Sequence, residues 1–215
     1  MEVFLRMNPK TMYNLTYGLF ILMAHQEGKD NGCIINTVMQ VTESPNRIAI
    51  AVNKSNLTHD MIKMTQKFNL SILNEQTGMP TFERFGFQSG RTVDKLDGFS
   101  PVVRSKNGIL YVTEEANSYL SAEVESMIDM DTHTLFIASI TDMQILNDSN
   151  SVSYSYYQKN IKPQANLNSA ASEGKVVWRC IVCGYEYVGD DIPEDFICPI
   201  CKHPVSDFER IEPQI

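Results

Sequence analysis

At 215 residues the chain exceeds one average domain of roughly 150 residues and falls short of two, so one full domain plus a small satellite is expected. A formal net charge of −8 with no Lys/Arg cluster argues against a nucleic-acid surface, which needs concentrated positive charge. With 43% hydrophobic and 20% charged residues, and no apolar run near the roughly 20 residues of a bilayer span, the composition excludes a membrane helix and fits a globular protein.

The N-terminal "MEVFLRMNPKTMYN" has an acidic residue at position 2 and no basic segment leading into an apolar one. It does not read as a signal peptide, and a cytoplasmic location is the default expectation. From 17 to 146 the apolar residues recur in short β-branched and aromatic runs: "YGLFILMA", "CIINTVMQV", "RIAIAV", "FNLSIL", "SYLSAEVESMI" and "HTLFIASI". Turn-rich clusters such as "EGKDNG", "ESPN", "GRTVDKLDG" and "SKNG" separate them. This spacing predicts a mainly β domain with a closed or nearly closed antiparallel sheet. One helix interrupts it, "LTHDMIKMTQKF", with Met61, Met64 and Phe68 at helical spacing and Thr58 as its N-cap. Cys33 reads as a small buried residue, and the eleven methionines as fillers of core gaps.

After Leu146 the chain turns rich in Ser and Asn, "NDSNSVSYSYYQKNIKPQANLNSAASEGK". It reads as a short extension followed by a flexible linker, with Tyr154, Tyr156 and Tyr157 packing as an arm. The expected division is a domain over residues 1–160, a linker over 161–174 and a module over 175–215.

Four of the five cysteines stand in that last segment as two C-x-x-C pairs, Cys180/Cys183 and Cys198/Cys201. In a chain without a secretory signal, such pairs read as thiolate metal ligands rather than disulfides. Two knuckles bring four soft donors into a tetrahedron, which suits zinc and mononuclear iron alike. The surrounding "VVWRCIVCGYEYVGDDIPEDFICPICKHPVSDFERIE" resembles a rubredoxin, with C-G-Y and C-P-x-C knuckles, an aromatic two residues before each, and a closing "SDFE". The resemblance implies one iron held by Cys180, Cys183, Cys198 and Cys201 that shuttles between ferric and ferrous states. Trp178, Tyr185, Tyr187, Phe196 and Phe208 would form its dry shell. The family pattern departs at Lys202 and Val205, where Gly and Lys are usual. Between residues 175 and 215 four basic residues stand against eight acids, a balance that steers such a module toward basic partners.

A one-electron site needs a supplier, and no GxGxxG or Walker A motif provides one. Instead "DNGCIINTVMQVTESPNRIAIAVNKSNLTHDMI", "ERFGFQSGR" and "DTHTLFIASITDMQIL", in that order, resemble the flavin reductase-like family with an FMN-binding split β-barrel, over residues 7–160. Chemistry points the same way. "NKSNLTH" ends a strand and opens the helix, and a helix N-terminus suits a phosphate, so Asn53, Lys54, Asn56, Thr58 and His59 are expected around it. Polar Asn36, Gln40 and Thr42 on one face suit hydrogen bonds to a flavin if the strand is otherwise buried, and Asn36, Thr37 and Gln40 read equally as an exposed strand face. The resemblance further implies that Asn36, Thr37, Val38, Met39 and Gln40 line the isoalloxazine and that Phe85, Phe87, Gln88, Ser89 and Gly90 form a loop beside it. His133 falls on the nicotinamide side by the same likeness.

The expected protein is an oxidoreductase that carries electrons from NAD(P)H through FMN to the iron. The two modules together resemble the high-molecular-weight rubredoxins, which implies a flavodiiron oxygen or nitric oxide reductase as acceptor; the flavin reductase-like barrel implies a homodimer, and charge and composition leave neither nucleic acid nor membrane as an expected partner. Two alternatives stand beside it: a flavin reductase supplying reduced FMN to a separate oxygenase with zinc in the cysteine module, and a relay reduced by another protein. A positive charge next to the last ligand favours the more negative ferrous state, so Lys202→Gly should lower the iron potential. A redox titration checks this, and an unchanged potential refutes it.

Overall fold

The computed structural model describes residue 11 and residues 14–162, 176–181, 185–198 and 204–211. β1 (Phe20–Gln26) and β2 (Lys29–Ile35) form a hairpin. Its turn residues Glu27 and Gly28 take positive φ, 51° and 80°, the hand that matches the twist of the strands they join. A second hairpin pairs β3 (Val38–Glu43) with β4 (Asn46–Asn53). Helix α1 (Leu57–Thr65) leads into β5 (Lys67–Leu73). A short helix α2 (Met79–Phe82) runs into a π-helical turn over Glu83–Phe87. A small hairpin of β6 (Val102–Arg104) and β7 (Leu110–Val112) follows, then a long one of β8 (Ala116–Met130) and β9 (His133–Ile145).

Seven of these strands make one antiparallel sheet in the order β2-β1-β5-β8-β9-β4-β3. The run "CIINTVMQV" is therefore two strands, not one, and β2 and β3 stand at opposite edges of the sheet, joined only by Asn36 and Thr37. A flat seven-stranded sheet would hold its edges about 29 Å apart, six spacings of about 4.8 Å. The connection from Ile35 to Val38 spans at most about 11 Å. The sheet must roll until its edges nearly meet, which is the nearly closed barrel expected from the strand spacing. The roll has two halves: β5 pairs with Leu73 to Lys67 against Ala116 to Glu123 of β8, while β4 pairs with the opposite end of β9, His133 to Ser139. Bulges at Ser121/Ala122 and Val124/Ser126 bend the long hairpin that carries both halves.

β1 is buried on both faces, so its sequence is continuously apolar rather than alternating. Leu22 and Ala24 face the barrel interior with Ile50, Phe68, Leu70 and Phe136, under α1 residues Met61 and Ile62. Ile21 and Met23 face an outer core with Phe82, Phe85, Ile109, Val112 and Tyr157. The β6–β7 hairpin, which short polar strands hid from sequence reading, is pinned by buried Asn69. Its Nδ2 donates to Ser105 Oγ and the Ile109 carbonyl, both at 2.8 Å. The tyrosine extension is an arm on the main domain. Val152 is 1% exposed, the Tyr157 ring lies 4.5 Å from Phe82, and a π-helical turn covers Tyr157–Ile161, reaching the first residue of the segment expected as linker. Residues 163–175 lie outside the described ones.

Two expectations for α1 change. Asn56, not Thr58, is the N-cap, and Phe68 belongs to β5. The inward face is Thr58, His59, Met61 and Ile62, and Met64 is 71% exposed. Nor do the methionines all fill cores. Met23 and Met61 do, while Met39, Met127, Met130 and Met143 are exposed along β3 and the long hairpin. Phe68→Ala, which empties a fully buried site, should cost about 3–5 kcal/mol in denaturant unfolding, whereas Met64→Gln should stay within about 0.5 kcal/mol.

Candidate functional site

The segments expected to cradle a phosphate do converge. Asn53, the last residue of β4, pairs with His133, the first of β9. The Lys54 backbone N–H donates to the Thr132 carbonyl at 3.0 Å, and the Ser55 N–H donates to Asn53 Oδ1 at 2.9 Å. These contacts aim the strand end into α1, whose N-cap Asn56 makes no side-chain cap hydrogen bond. First-turn N–H groups left without a side-chain cap, at the positive end of a helix dipole, suit an anion.

Thr58 and His59 have a different duty. Both are buried, and Thr58 Oγ1 accepts from Asn31 Nδ2 at 2.8 Å. His59 Nδ1 lies 2.9 Å from Asp60 Oδ1 and Nε2 lies 2.9 Å from Thr134 Oγ1. An ionised carboxylate only accepts, so Nδ1 carries the proton, and in the neutral ring Nε2 takes one from the Thr134 hydroxyl. These side chains fix the start of α1, while Asn53, Lys54, Asn56 and the backbone remain to meet a ligand. Lys54 Nζ is held 2.7 Å from Asp129, and His133 bonds the neighbouring Thr132 hydroxyl at 2.9 Å on the exposed side.

The loop after the π-helical turn closes over this end. Arg91 donates from Nη2 to Asp60 at 2.6 Å and from Nε to the Ser55 carbonyl at 3.2 Å. Gly90 packs so closely on the Asn31 amide that a Cβ there would overlap it. Ser89 Oγ accepts from the Arg91 N–H, and Gln88 is exposed. Two phenylalanines of this loop diverge. Phe85 is a core residue, edge-on to Phe99 at 5.0 Å, while Phe87 packs on the cluster formed by Cys180 and Cys198. Buried Lys95 secures the turn, donating to the Gly32 and Phe85 carbonyls at 3.0 Å each. Burial pushes its pKa down. Asn31, Asp60, Arg91, Lys95 and Thr134 escaped the sequence reading, since none belongs to a motif. Only the neighbourhood of "QSGR" and "HTLF" signalled Arg91 and Thr134.

Along β3 the expectation of a buried strand fails. It is an edge strand with Met39, Gln40 and Val41 exposed. A bulge between Gln40 and Thr42 breaks the alternation that would align Asn36, Gln40 and Thr42. Gln40 instead donates to Asn46 Oδ1 at 3.1 Å and Thr42 to the Pro45 carbonyl at 2.6 Å, both within the hairpin. Thr37 is closer to the α1 end, donating from Oγ1 to the Ala51 carbonyl at 2.8 Å. Val38 packs toward the interior. Asn36 to Gln40 thus run along the open seam, away from the helix end. The donor set of uncapped N–H groups, Asn53 and Asn56, with the Lys54 and Arg91 cations nearby on the Asp129 and Asp60 carboxylates, fits a phosphate, and the seam beyond it offers an exposed strand edge.

In the C-terminal module β10 (Val177–Cys180) lies between β11 (Glu186–Val188) and β12 (Phe208–Ile211). Cys180 and Cys198 are both fully buried. Phe196 is the hub of their frame, with ring centroids 6.4 Å from Tyr185, 4.9 Å from Tyr187 and 5.5 Å from Phe208. Trp178 instead donates to the Gly189 carbonyl at 3.1 Å under the Arg210 guanidinium. The Cys180 N–H donates to the Tyr185 carbonyl at 2.8 Å. Soft donors buried in an apolar frame fit a cysteine-ligated metal. Cys183, Cys201 and Lys202 lie outside the described residues.

The Arg91 guanidinium and the His59 ring hold the Asp60 carboxyl below its ordinary value. A lowered carboxylate stabilises above the unfolded pKa of about 3.9 and loses that contribution as pH falls through the folded value. The closure of residues 88–91 over α1 should therefore be full above about pH 4 and weaken in acid. Amide exchange of Arg91 and Thr92 across that range checks this, with Asp60→Asn expected to remove the pH dependence.

Residues 12–164 match the flavin reductase like domain family, and residues 178–209 match the rubrerythrin, rubredoxin-like domain family. The high molecular weight rubredoxin of Moorella thermoacetica is 33% identical over 95% of this chain and 100% of its own length. A ferric-chelate reductase (NAD(P)H) of Archaeoglobus fulgidus is 35% identical over 70% of this chain and 89% of that protein. Among solved structures, an FMN-binding protein from Thermus thermophilus superimposes with a TM-score of 0.59 at 18% identity, covering 68% of this chain and 81% of that one. The barrel followed by the cysteine module agrees with the order of these matches: this chain belongs to the flavin reductase-like domain family and carries a rubredoxin-like domain at its C-terminal end.

Proposed function

We propose that this chain is a cytoplasmic NAD(P)H-dependent oxidoreductase that binds FMN in the barrel and one iron at Cys180, Cys183, Cys198 and Cys201. Bound there, the two groups would supply complementary chemistry: the flavin would take a hydride's two electrons and the iron would accept them one at a time, with the hydride's one proton released to solvent. The observation that carries the reading is the presence in one chain of a phosphate-suited helix end and a fully buried cysteine pair in an aromatic frame.

Lys54, Asn53, Asn56 and the first-turn N–H groups hold the phosphate, and Thr58 and His59 keep that turn in place. Asn36, Thr37, Val38, Met39 and Gln40 flank the ring along the seam, with Gln88, Ser89 and Gly90 on the loop side and His133 toward the nicotinamide. The name of the Archaeoglobus relative, a ferric-chelate reductase (NAD(P)H), supports the donor. The acid excess of the C-terminal module supports a basic protein acceptor, for which a flavodiiron oxygen or nitric oxide reductase is the proposed identity. A homodimer is proposed on the long hairpin, where Met127, Ile128 and Met130 are 42%, 50% and 55% exposed.

The purified protein should show both flavin and iron–thiolate absorbance, and anaerobic NADH or NADPH should bleach both. Cys198→Ser should abolish the iron band and leave flavin reduction intact. A chain ending near residue 170 should likewise reduce its flavin and fail to reduce the acceptor. Zinc in place of iron overturns the reading, and iron bleaching that requires a separate reductase protein overturns the direct nicotinamide route.

A further inference from the structure

Phe85 and Phe87 are two residues apart on the π-helical turn and serve different halves of the molecule. With the Phe85 ring fixed in the outer core and its carbonyl held by buried Lys95, the direction in which Phe87 leaves the turn is set by the barrel. Phe87 packs on the Cys180–Cys198 cluster beside Tyr185 and Phe208. Those two aromatics belong to the C-terminal module, and Phe87 comes from the barrel domain. A second contact of different chemistry reaches the same knuckle: Lys162 Nζ donates to the Ile181 carbonyl at 2.6 Å, and the Ile181 N–H donates to the Asp207 carbonyl at 2.8 Å. Ile181 directly follows Cys180.

We propose that Phe87 is the positioning residue that seats the rubredoxin-like module on the barrel, with Lys162 closing the contact at the first knuckle. The inference rests on the reading that the cysteines hold iron, and it names the surface through which that site meets the flavin-binding domain. Two features favour the chain's own module as the occupant. Phe87 is separated by one residue from Ser89 and by two from Gly90, so the seat brings the cysteine cluster to the loop that closes over α1. Lys162 presents a cation to a module in which eight acids outnumber four basic residues. Among the described residues the seat thus combines an aromatic ring with a charged hydrogen bond.

The test uses the full iron-loaded chain and two readouts. In Phe87→Ala, deuterium uptake by residues 176–181 should rise, although these residues are more than 85 positions away in sequence. After anaerobic NADH addition, the ratio of the iron-bleaching rate to the flavin-bleaching rate should fall by roughly tenfold or more. Phe87→Tyr, which keeps the ring, should restore both. Lys162→Ala, at a separate point of the contact, should shift both in the same direction and serves if Phe87→Ala does not fold. Unchanged uptake and an unchanged ratio in the folded variants overturn the proposal. Failure of NADH to bleach the flavin of the unaltered chain sinks the functional reading instead, and the uptake comparison still decides the seat.

Discussion

Asn36 and Thr37 join strands that lie at opposite edges of a seven-stranded sheet, and so short a span obliges the sheet to roll. Much else follows from that closure. The rolled interior needs a plug, supplied by Met61 and Ile62 of α1. The position of α1 brings its N-terminus to the end of β4, next to the start of β9. The residues at the seam are those the family resemblance sets against a flavin ring. Two hydrogen bonds, from Thr37 Oγ1 to the Ala51 carbonyl at 2.8 Å and from the Ala51 N–H to the Thr37 carbonyl at 3.3 Å, keep the connection on the barrel rather than looping away from it.

A single segment, residues 83 to 95, carries several obligations at once. Phe85 anchors it in the outer core, Lys95 ties its ends to β2, Gly90 lets it approach Asn31, and Arg91 fastens it to Asp60 and the Ser55 carbonyl. Four kinds of contact on so short a stretch leave little freedom for the backbone. That restraint gives Gln88, Ser89 and Phe87 fixed directions although they are not themselves buried.

The cysteine module and the strand pattern were legible because their signals are local: ligand spacing in one case, β-branched runs between turns in the other. The small β6–β7 hairpin was not, since its order comes from Asn69 on a distant strand. The start of α1 was misplaced by two residues because Asn56, Thr58 and Asp60 are all plausible caps, and tertiary contacts chose among them. Burial of Thr58 against Asn31 and of His59 against Thr134 removes both from the surface. On β3 the sequence leaves a buried and an exposed face equally open, because apolar Val38, Met39 and Val41 alternate with polar Gln40 and Thr42. Only the sheet order shows that nothing pairs with its outer edge among the described strands. The candidate site was therefore recognisable by neighbourhood, while the division between residues that face a ligand and residues that support them required the packing.

The covalent connection between Lys162 and Val176 has a kinetic meaning. A tethered module meets its seat at an effective concentration on the order of millimolar, whatever the dilution of the protein. Encounter is then first-order and independent of how many copies a cell contains. Among the described residues that seat includes the Phe87 ring and the Lys162 ammonium. Within one chain such a seat is refilled at a rate set by the tether and not by the protein's concentration.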